Sequence, residues 1–92
     1  MAIGALRALK NQGLRVPQDV SLVGFDDLTI SAAVDPPLTS IAIGKYEIGY
    51  IAVGRLMEQK NRKSDNFSIK MLVGANLVVR RSTGPAPTLI EI

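Results

Sequence analysis

The sequence predicts an α/β domain in which helices alternate with short strands. A helical pattern is followed, after a short connection, by the apolar run Val20–Phe25, which has an aspartate on each side. A nearly uninterrupted apolar run of this kind is typical of a strand covered on both faces, as in a parallel sheet. The succession of helix, short loop and buried strand is the rhythm of α/β folds.

The first predicted helix spans residues 2–12. Ala2, Leu6 and Leu9 share one face at helical spacing. Gly13 is expected to end the helix, because glycine adopts the left-handed conformation without steric cost. Met1 leads into the pattern without a capping side chain, so we expect the chain to continue a longer polypeptide.

Prolines, glycines and polar runs delimit the remaining elements. The Asp35–Pro36–Pro37 sequence ends a short helix, because proline removes a donor and restricts the residue before it. Tyr46 and Tyr50 lie one turn apart on a wide apolar stripe, for which core packing is favoured over a stacking platform for a sugar. The predicted elements are a short helix over 28–33, a strand over 38–43, a long helix over 45–60, strands over 67–73 and 77–80, and a tail from Gly84.

The composition excludes several classes of function. The chain contains no cysteine and no histidine, which excludes disulfides, thiolate nucleophiles and ordinary zinc sites. The scattered acidic residues form no catalytic group, so we predict a protein that is not an enzyme and needs no cofactor or metal. The net charge of +3 comes largely from scattered basic residues, which favours solvated faces over a nucleic-acid surface. The longest strongly apolar run, Ile48–Gly54, is far shorter than the roughly 20 residues that span a bilayer.

The most informative group of residues is Gly24-Phe25-Asp26-Asp27, at the end of the first predicted strand. In open α/β sheets, ligands bind beyond the carboxyl ends of the strands. An ionised carboxylate there accepts hydrogen bonds from two neighbouring hydroxyls, which suits a sugar or a ribose. The alternative is that an aspartate caps the following turn. On the residues alone, ligand contact is the less favoured alternative for Asp26, and a cap is preferred for Asp27.

Several blocks, in order and with near-standard spacing, resemble the effector-binding core of LacI/GalR-family bacterial transcription regulators. The resemblance extends from residue 1 to about residue 84. The blocks are AIGALRAL from Ala2, GLRVPQDVSLVGFDD from Gly13, DPPLTSI from Asp35, YEIG from Tyr46 and LVVRRST from Leu77. Two departures concern local geometry: Ile43–Gly44 stands where members often have Gln-Pro, and Gly74–Asn76 replaces a turn that usually contains proline.

The resemblance implies a periplasmic-binding-protein-like type I fold, with two α/β subdomains whose parallel sheets are flanked by helices. A small ligand binds in the cleft between the subdomains of such a core. The resemblance assigns residues 1–42 to the C-terminal subdomain, 43–73 to the N-terminal subdomain, 74–84 to a return to the C-terminal subdomain and 85–92 to a tail.

The resemblance also implies roles for individual residues. The ligand-contacting aspartate of the family corresponds to Asp26, with the ring of Phe25 nearby, which makes ligand contact the favoured role for Asp26. The dimer surface of the family corresponds to six residues of the first helix and of the stretch after the aspartates. These are Ile3, Leu6, Arg7, Lys10, Ile30 and Val34.

We therefore predict the effector-sensing and dimerisation segment of a cytoplasmic LacI-family transcription regulator. Its expected partners are a sugar or nucleoside-like effector and a second copy of the protein. It is not expected to bind a membrane. Operator DNA is expected to bind only through a helix-turn-helix headpiece that this chain lacks. The alternative is a periplasmic sugar-binding protein of the same fold.

Overall fold

The computed structural model describes residues 1–61 and 68–88. These residues form two compact units: one contains Met1–Ala42 and the described residues from Asn76 onward, and the other contains Ile43–Ala75. We call them unit 1 and unit 2. The elements are helix α1 (Ala2–Asn11), strand β1 (Val23–Phe25), a 3-10 turn (Thr29–Ala32), strand β2 (Thr39–Ile43), helix α2 (Lys45–Asn61) and strand β3 (Ala75–Val78).

Helix α1 ends as the sequence predicts. Gly13 has a φ of 76° and its amide donates to the carbonyl of Lys10. The amide of Leu14 donates to the carbonyl of Leu9. These two hydrogen bonds define a Schellman motif, in which a left-handed glycine satisfies the last helical carbonyls. Gly13 therefore fixes the direction in which the chain leaves the helix.

The three strands form one sheet in the order β1-β2-β3. Strands β1 and β2 are parallel, with Val23 opposite Thr39 and Phe25 opposite Ile41. Helix α1 contacts β1. The predicted α/β fold is confirmed, and the parallel pairing places the end of β1 beside β2.

Strand β1 is shorter and less covered than the sequence predicts. It begins at Val23 rather than Val20, and only its middle residue, Gly24, is buried. The prediction of a strand covered on both faces is therefore wrong for the described residues. A Cβ on Gly24 would lie 2.9 Å from Cδ2 of Leu38 and 3.4 Å from Cβ of Ala2. The covered face is that of Gly24, and nothing described covers the face of Val23 and Phe25.

Unit 2 corrects a further prediction. Phe67, the first residue of the predicted strand over 67–73, lies outside the described residues, and residues 68–73 form no strand. A strand is defined by hydrogen bonds to a neighbour, and apolar alternation alone does not supply one. The alternation does have a counterpart in packing, since Ile69, Met71 and Val73 line a groove of about 220 Å³ together with residues of α2.

Strand β3 is also displaced from the prediction, because it covers Ala75–Val78 instead of residues 77–80. The residues at 80–84 are instead held by side-chain hydrogen bonds, which are described below. No helix within residues 1–61 or 68–88 has the length and apolar character needed to cross a membrane.

Candidate functional site

The candidate site begins where β1 ends. Asp26 and Asp27 follow the strand with φ angles of 78° and 46°. Two consecutive residues other than glycine in the left-handed region are uncommon, although aspartate tolerates it better than most residues. Such a backbone persists where surrounding contacts stabilise it, and clusters of this kind occur at ligand sites.

The carboxylate of Asp27 is bonded inside unit 1. Nη1 of Arg80 donates to Oδ1 of Asp27 at 2.6 Å and to the carbonyl of Leu38 at 2.7 Å. The amide of Asp27 donates to Oγ of Ser40 at 3.1 Å. The preferred prediction for Asp27, a cap of the following turn, stays a prediction, since the N-cap residue of that turn is Leu28 and the described bond of the Asp27 carboxylate is to Arg80. Asp27 joins the end of β1 to Arg80.

Asp26 has different surroundings from its neighbour. Its side chain is exposed, and within the described part of the chain its carboxylate has no hydrogen-bond or ion-pair partner. The ring of the preceding Phe25 is 61% exposed. An ionised carboxylate offers acceptors only, so Asp26 presents unused acceptors beside an exposed aromatic ring. These properties are those expected of a residue that contacts a hydroxylated ligand.

Buried hydroxyl groups hold the segment after β3 against the sheet. Oγ of Ser82 accepts from the amide of Thr39 at 2.7 Å and donates to the carbonyl of Leu22 at 2.6 Å. Oγ1 of Thr39 accepts from the amide of Arg80 at 2.9 Å and contacts Oγ1 of Thr83 at 3.0 Å. Ser82 therefore links this segment to Thr39 of β2 and to Leu22, the residue before β1, through its one hydroxyl.

The sequence did not identify Arg80, Ser40 or Ser82 as site residues. Arg80 and Ser82 belong to the RRST block that carries the resemblance, but the block by itself assigned no role to them. Arg80 and Ser82 are separated from the partners of their side-chain-mediated bonds by 41 to 60 residues along the chain. Spacing within one element therefore gives no signal for these contacts.

Five of the six predicted dimer residues lie around one groove in unit 1. Its volume is about 250 Å³, and it is lined by Ile3, Leu6, Arg7, Lys10, Asn11, Val34 and Asp35. Nζ of Lys10 donates to the carbonyl of Asp35, which joins α1 to the loop beyond the 3-10 turn. Leu6 is only 4% exposed and belongs to the core, so it forms the floor of the groove. Ile30 is exposed and does not line this groove.

Asp26 does not line either of two further grooves. One of about 740 Å³ in unit 1 is lined by residues that include Arg15, Pro36 and Arg81, but by neither Phe25 nor Asp26. The other lies along α2, where the rings of Tyr46 and Tyr50 stack with centroids 6.2 Å apart. These rings are 77% and 72% exposed, so the predicted packing in a core is not found among the described residues.

Comparison with known proteins shows the family. The model of the periplasmic binding protein-like domain matches residues 1–83. The chain belongs to this family, in the form found in LacI-type transcription regulators. The chain spans about a quarter of the length of the curated relatives it matches.

The relatives are regulators of transcription. The chain is 42% identical over 87 residues to the HTH-type transcriptional repressor CytR of Escherichia coli K12. The aligned residues cover 95% of the chain and 25% of that protein. It resembles the structure of a sugar-binding LacI-family regulator from Escherichia coli with a TM-score of 0.76 and 35% identity, over 91% of the chain and 30% of that structure. It resembles the lac repressor dimer bound to operator and an anti-inducer with a TM-score of 0.74 and 36% identity, over 89% of the chain and 28% of that structure.

These relatives favour a transcription regulator over the alternative of a periplasmic sugar-binding protein. They are named as repressors or regulators and not as enzymes.

Proposed function

We propose that this chain is the effector-sensing and dimerisation part of a LacI-type regulator that responds to a sugar or a nucleoside-like molecule. The observation that carries the proposal is the exposed carboxylate of Asp26 at the carboxyl end of β1, which has no bonded partner among the described residues and lies beside the exposed ring of Phe25. A sugar offers neighbouring hydroxyl donors to such a carboxylate and an apolar ring face to an aromatic side chain.

The proposed regulator does no chemistry on its effector. Binding at Asp26 favours one arrangement of the ligand-binding core over another, and the free-energy difference is transmitted through a homodimer to operator DNA. The dimer surface would include Ile3, Arg7, Lys10, Ile30 and Val34, with Leu6 beneath them. DNA would be bound by a separate headpiece, and the protein would act in the cytoplasm, where operator DNA is found.

The experiment compares Asp26→Asn with Asp35→Asn in the intact protein. Both substitutions remove one carboxylate charge from an exposed position of unit 1. Asparagine tolerates the left-handed backbone at residue 26, so the change tests the charge rather than the fold. The ligands are a panel of free monosaccharides and ribonucleosides, titrated by calorimetry.

Asp26→Asn is expected to weaken the best-binding member of the panel by about 1.5–3 kcal/mol, the scale of a hydrogen bond to a charged group. Asp26→Ala should weaken it at least as much, because alanine also disfavours the left-handed backbone. Asp35→Asn is expected to leave the affinity unchanged. Equal affinity of Asp26→Asn and the unmodified protein would refute the assignment of Asp26.

A further inference from the structure

The two left-handed residues after β1 are held by contacts from β2 and from the segment after β3. Arg80 bonds to the Asp27 side chain and to the carbonyl that precedes β2, while Ser40 of β2 accepts from the Asp27 amide. The Arg80 and Asp27 side chains are about one-fifth exposed, at 20% and 19%. Partial burial weakens the competition from water, so this ion pair restricts the backbone more than a fully exposed pair does.

Arg80 is itself fixed through its backbone. Its amide donates to Oγ1 of Thr39, and the next amide, that of Arg81, donates to the carbonyl of Pro37. Ser82 then anchors the segment to Leu22 and Thr39. The guanidinium of Arg80 therefore extends from a backbone that is bonded on both sides of its Cα, to Thr39 of β2 and to Pro37 just before β2.

The conformation at Asp26 and Asp27 needs such support. A non-glycine residue in the left-handed region is less stable than in the ordinary region, so this conformation depends on surrounding contacts. Relaxation of Asp26 to an ordinary φ would turn its side chain to a different direction from the end of β1 and would displace Asp27 from Arg80 and Ser40. Arg80 and Ser40 each bond to Asp27, and none of their described contacts occupies the carboxylate of Asp26.

We propose that Arg80 is a positioning residue for effector binding, which holds Asp27 so that the Asp26 carboxylate remains available to the hydroxyl groups of the effector. Arg80 acts through Asp27 and does not contact the effector. The proposal rests on the function proposed above, because it assumes that Asp26 binds the effector.

The test uses Arg80→Gln and Arg80→Lys in the intact protein, with Arg81→Gln as the matched control. Arg81 is adjacent and its side chain is exposed, and its described hydrogen bond uses the backbone amide, which the substitution retains. Ser40→Ala is a milder second variant, which removes the acceptor for the Asp27 amide and leaves the ion pair in place. Three quantities are measured: affinity for the best-binding compound of the panel, hydrogen exchange of the amides at residues 26–28, and the thermal midpoint.

Arg80→Gln is expected to weaken binding roughly tenfold or more, in line with the loss of a charge-assisted hydrogen bond. Amide exchange at residues 26–28 should accelerate at a temperature well below the thermal midpoint. Arg80→Lys, which keeps the charge without the planar guanidinium, should lie between Arg80→Gln and the unmodified protein. Ser40→Ala should accelerate exchange at the Asp27 amide and weaken binding by a smaller factor. Arg81→Gln should change neither the affinity nor the amide exchange at residues 26–28.

The outcomes separate this proposal from the proposed function. If Asp26→Asn weakens binding but Arg80→Gln and Ser40→Ala do not, the positioning role is overturned and the proposed function stands. A lower thermal midpoint for Arg80→Gln, with unchanged affinity and exchange in the folded protein, gives Arg80 a purely structural role and also overturns the proposal. If no compound of the panel binds, or if Asp26→Asn binds normally, the proposed function fails and the positioning role fails with it.

Discussion

At the scale of single residues, one buried hydroxyl group connects three separate segments of unit 1. Ser82 is fully buried, and its hydroxyl both accepts from the Thr39 amide and donates to the Leu22 carbonyl. A buried amide that loses its acceptor keeps its desolvation cost, so removal of a hydroxyl is more costly than the mean value of a hydrogen bond implies. Ser82 therefore stabilises unit 1 through the two backbone groups to which its hydroxyl is bonded.

Ser82→Ala is expected to lower the free energy of unfolding by about 1–3 kcal/mol, because it leaves the Thr39 amide and the Leu22 carbonyl without this partner. Chemical denaturation of the intact protein measures the change. Ser68→Ala, at an exposed serine, is the control and should change stability by less than about 0.5 kcal/mol. Equal effects of the two substitutions would show that water replaces the Ser82 hydroxyl.

A second residue-scale effect concerns the carboxyl group of Asp19. The Arg15 side chain and the Arg15 amide both donate to it, and these hydrogen bonds hold the pKa of Asp19 below its ordinary value of 3.8. A carboxyl group whose pKa is lower in the folded state stabilises the fold above its unfolded pKa. This contribution is lost as the pH falls through the folded pKa.

Asp19→Asn should therefore make stability less dependent on pH in the acid range, through a small loss of stability at neutral pH, since the pair is exposed to solvent. Denaturation curves at about pH 6 and at a pH well below 3.8 test this, because the contribution is lost below the unfolded pKa. If Asp19→Asn and the unmodified protein lose the same stability between the two pH values, the pair contributes nothing to acid sensitivity.

At the scale of elements, the end of α1 shows how one glycine determines the path of the chain. Gly13 has a positive φ, and the bonds from Gly13 and Leu14 satisfy carbonyls of the last turn. The loop that follows contains Val16, one of the three buried apolar residues among those described. The helix end therefore sets the entry of this loop into the core.

Gly13→Ala is expected to destabilise the protein by about 1 kcal/mol, because a Cβ disfavours the left-handed conformation. Gly13→Asn should cost less, since asparagine tolerates this region. No atom lies within 4 Å of a Cβ built at this position, so steric overlap with neighbours is not the cause. Thermal unfolding of both variants measures their loss of stability. A smaller loss of stability for Gly13→Ala than for Gly13→Asn would contradict the backbone explanation.

At the scale of the whole molecule, few apolar residues of the described ranges are buried. Leu6, Val16 and Leu38 are the buried apolar residues, whereas many large apolar side chains of both units are exposed. Exposed apolar surface of this extent and unpaired strand edges drive association. We therefore expect the purified 92-residue chain to associate with itself and not to behave as a stable monomer.

Ile30→Lys tests whether the predicted dimer surface takes part in this association. Ile30 is exposed, and a charge there should shift sedimentation toward smaller species by disrupting apolar contact. Thr29→Lys adds the same charge at the neighbouring exposed residue without removing an apolar side chain, and is the control. A concentration-independent monomer for the unmodified chain would contradict the expectation of association, and equal effects of the two variants would exclude an apolar role for Ile30.

Local chemistry in the sequence determined the main helices, the end of α1 and the position of the aspartates after the first strand. Glycine, proline and apolar periodicity act through neighbours within a few residues, so α1, α2 and Gly13 followed from the sequence. The order of the resembling blocks also predicted the family, because several motifs at near-standard spacing are jointly specific.

Only the tertiary structure decided which residues are strands and which contacts each aspartate makes. Residues 68–73 alternate as a strand does but form none, because hydrogen-bonded pairing depends on a neighbouring strand and not on periodicity. Asp26 and Asp27 are adjacent and have the same side chain, yet in the structure Asp27 is bonded to Arg80 and Asp26 is exposed. That difference arises because β2 and the segment after β3 bring Ser40 and Arg80 to Asp27 from distant parts of the chain.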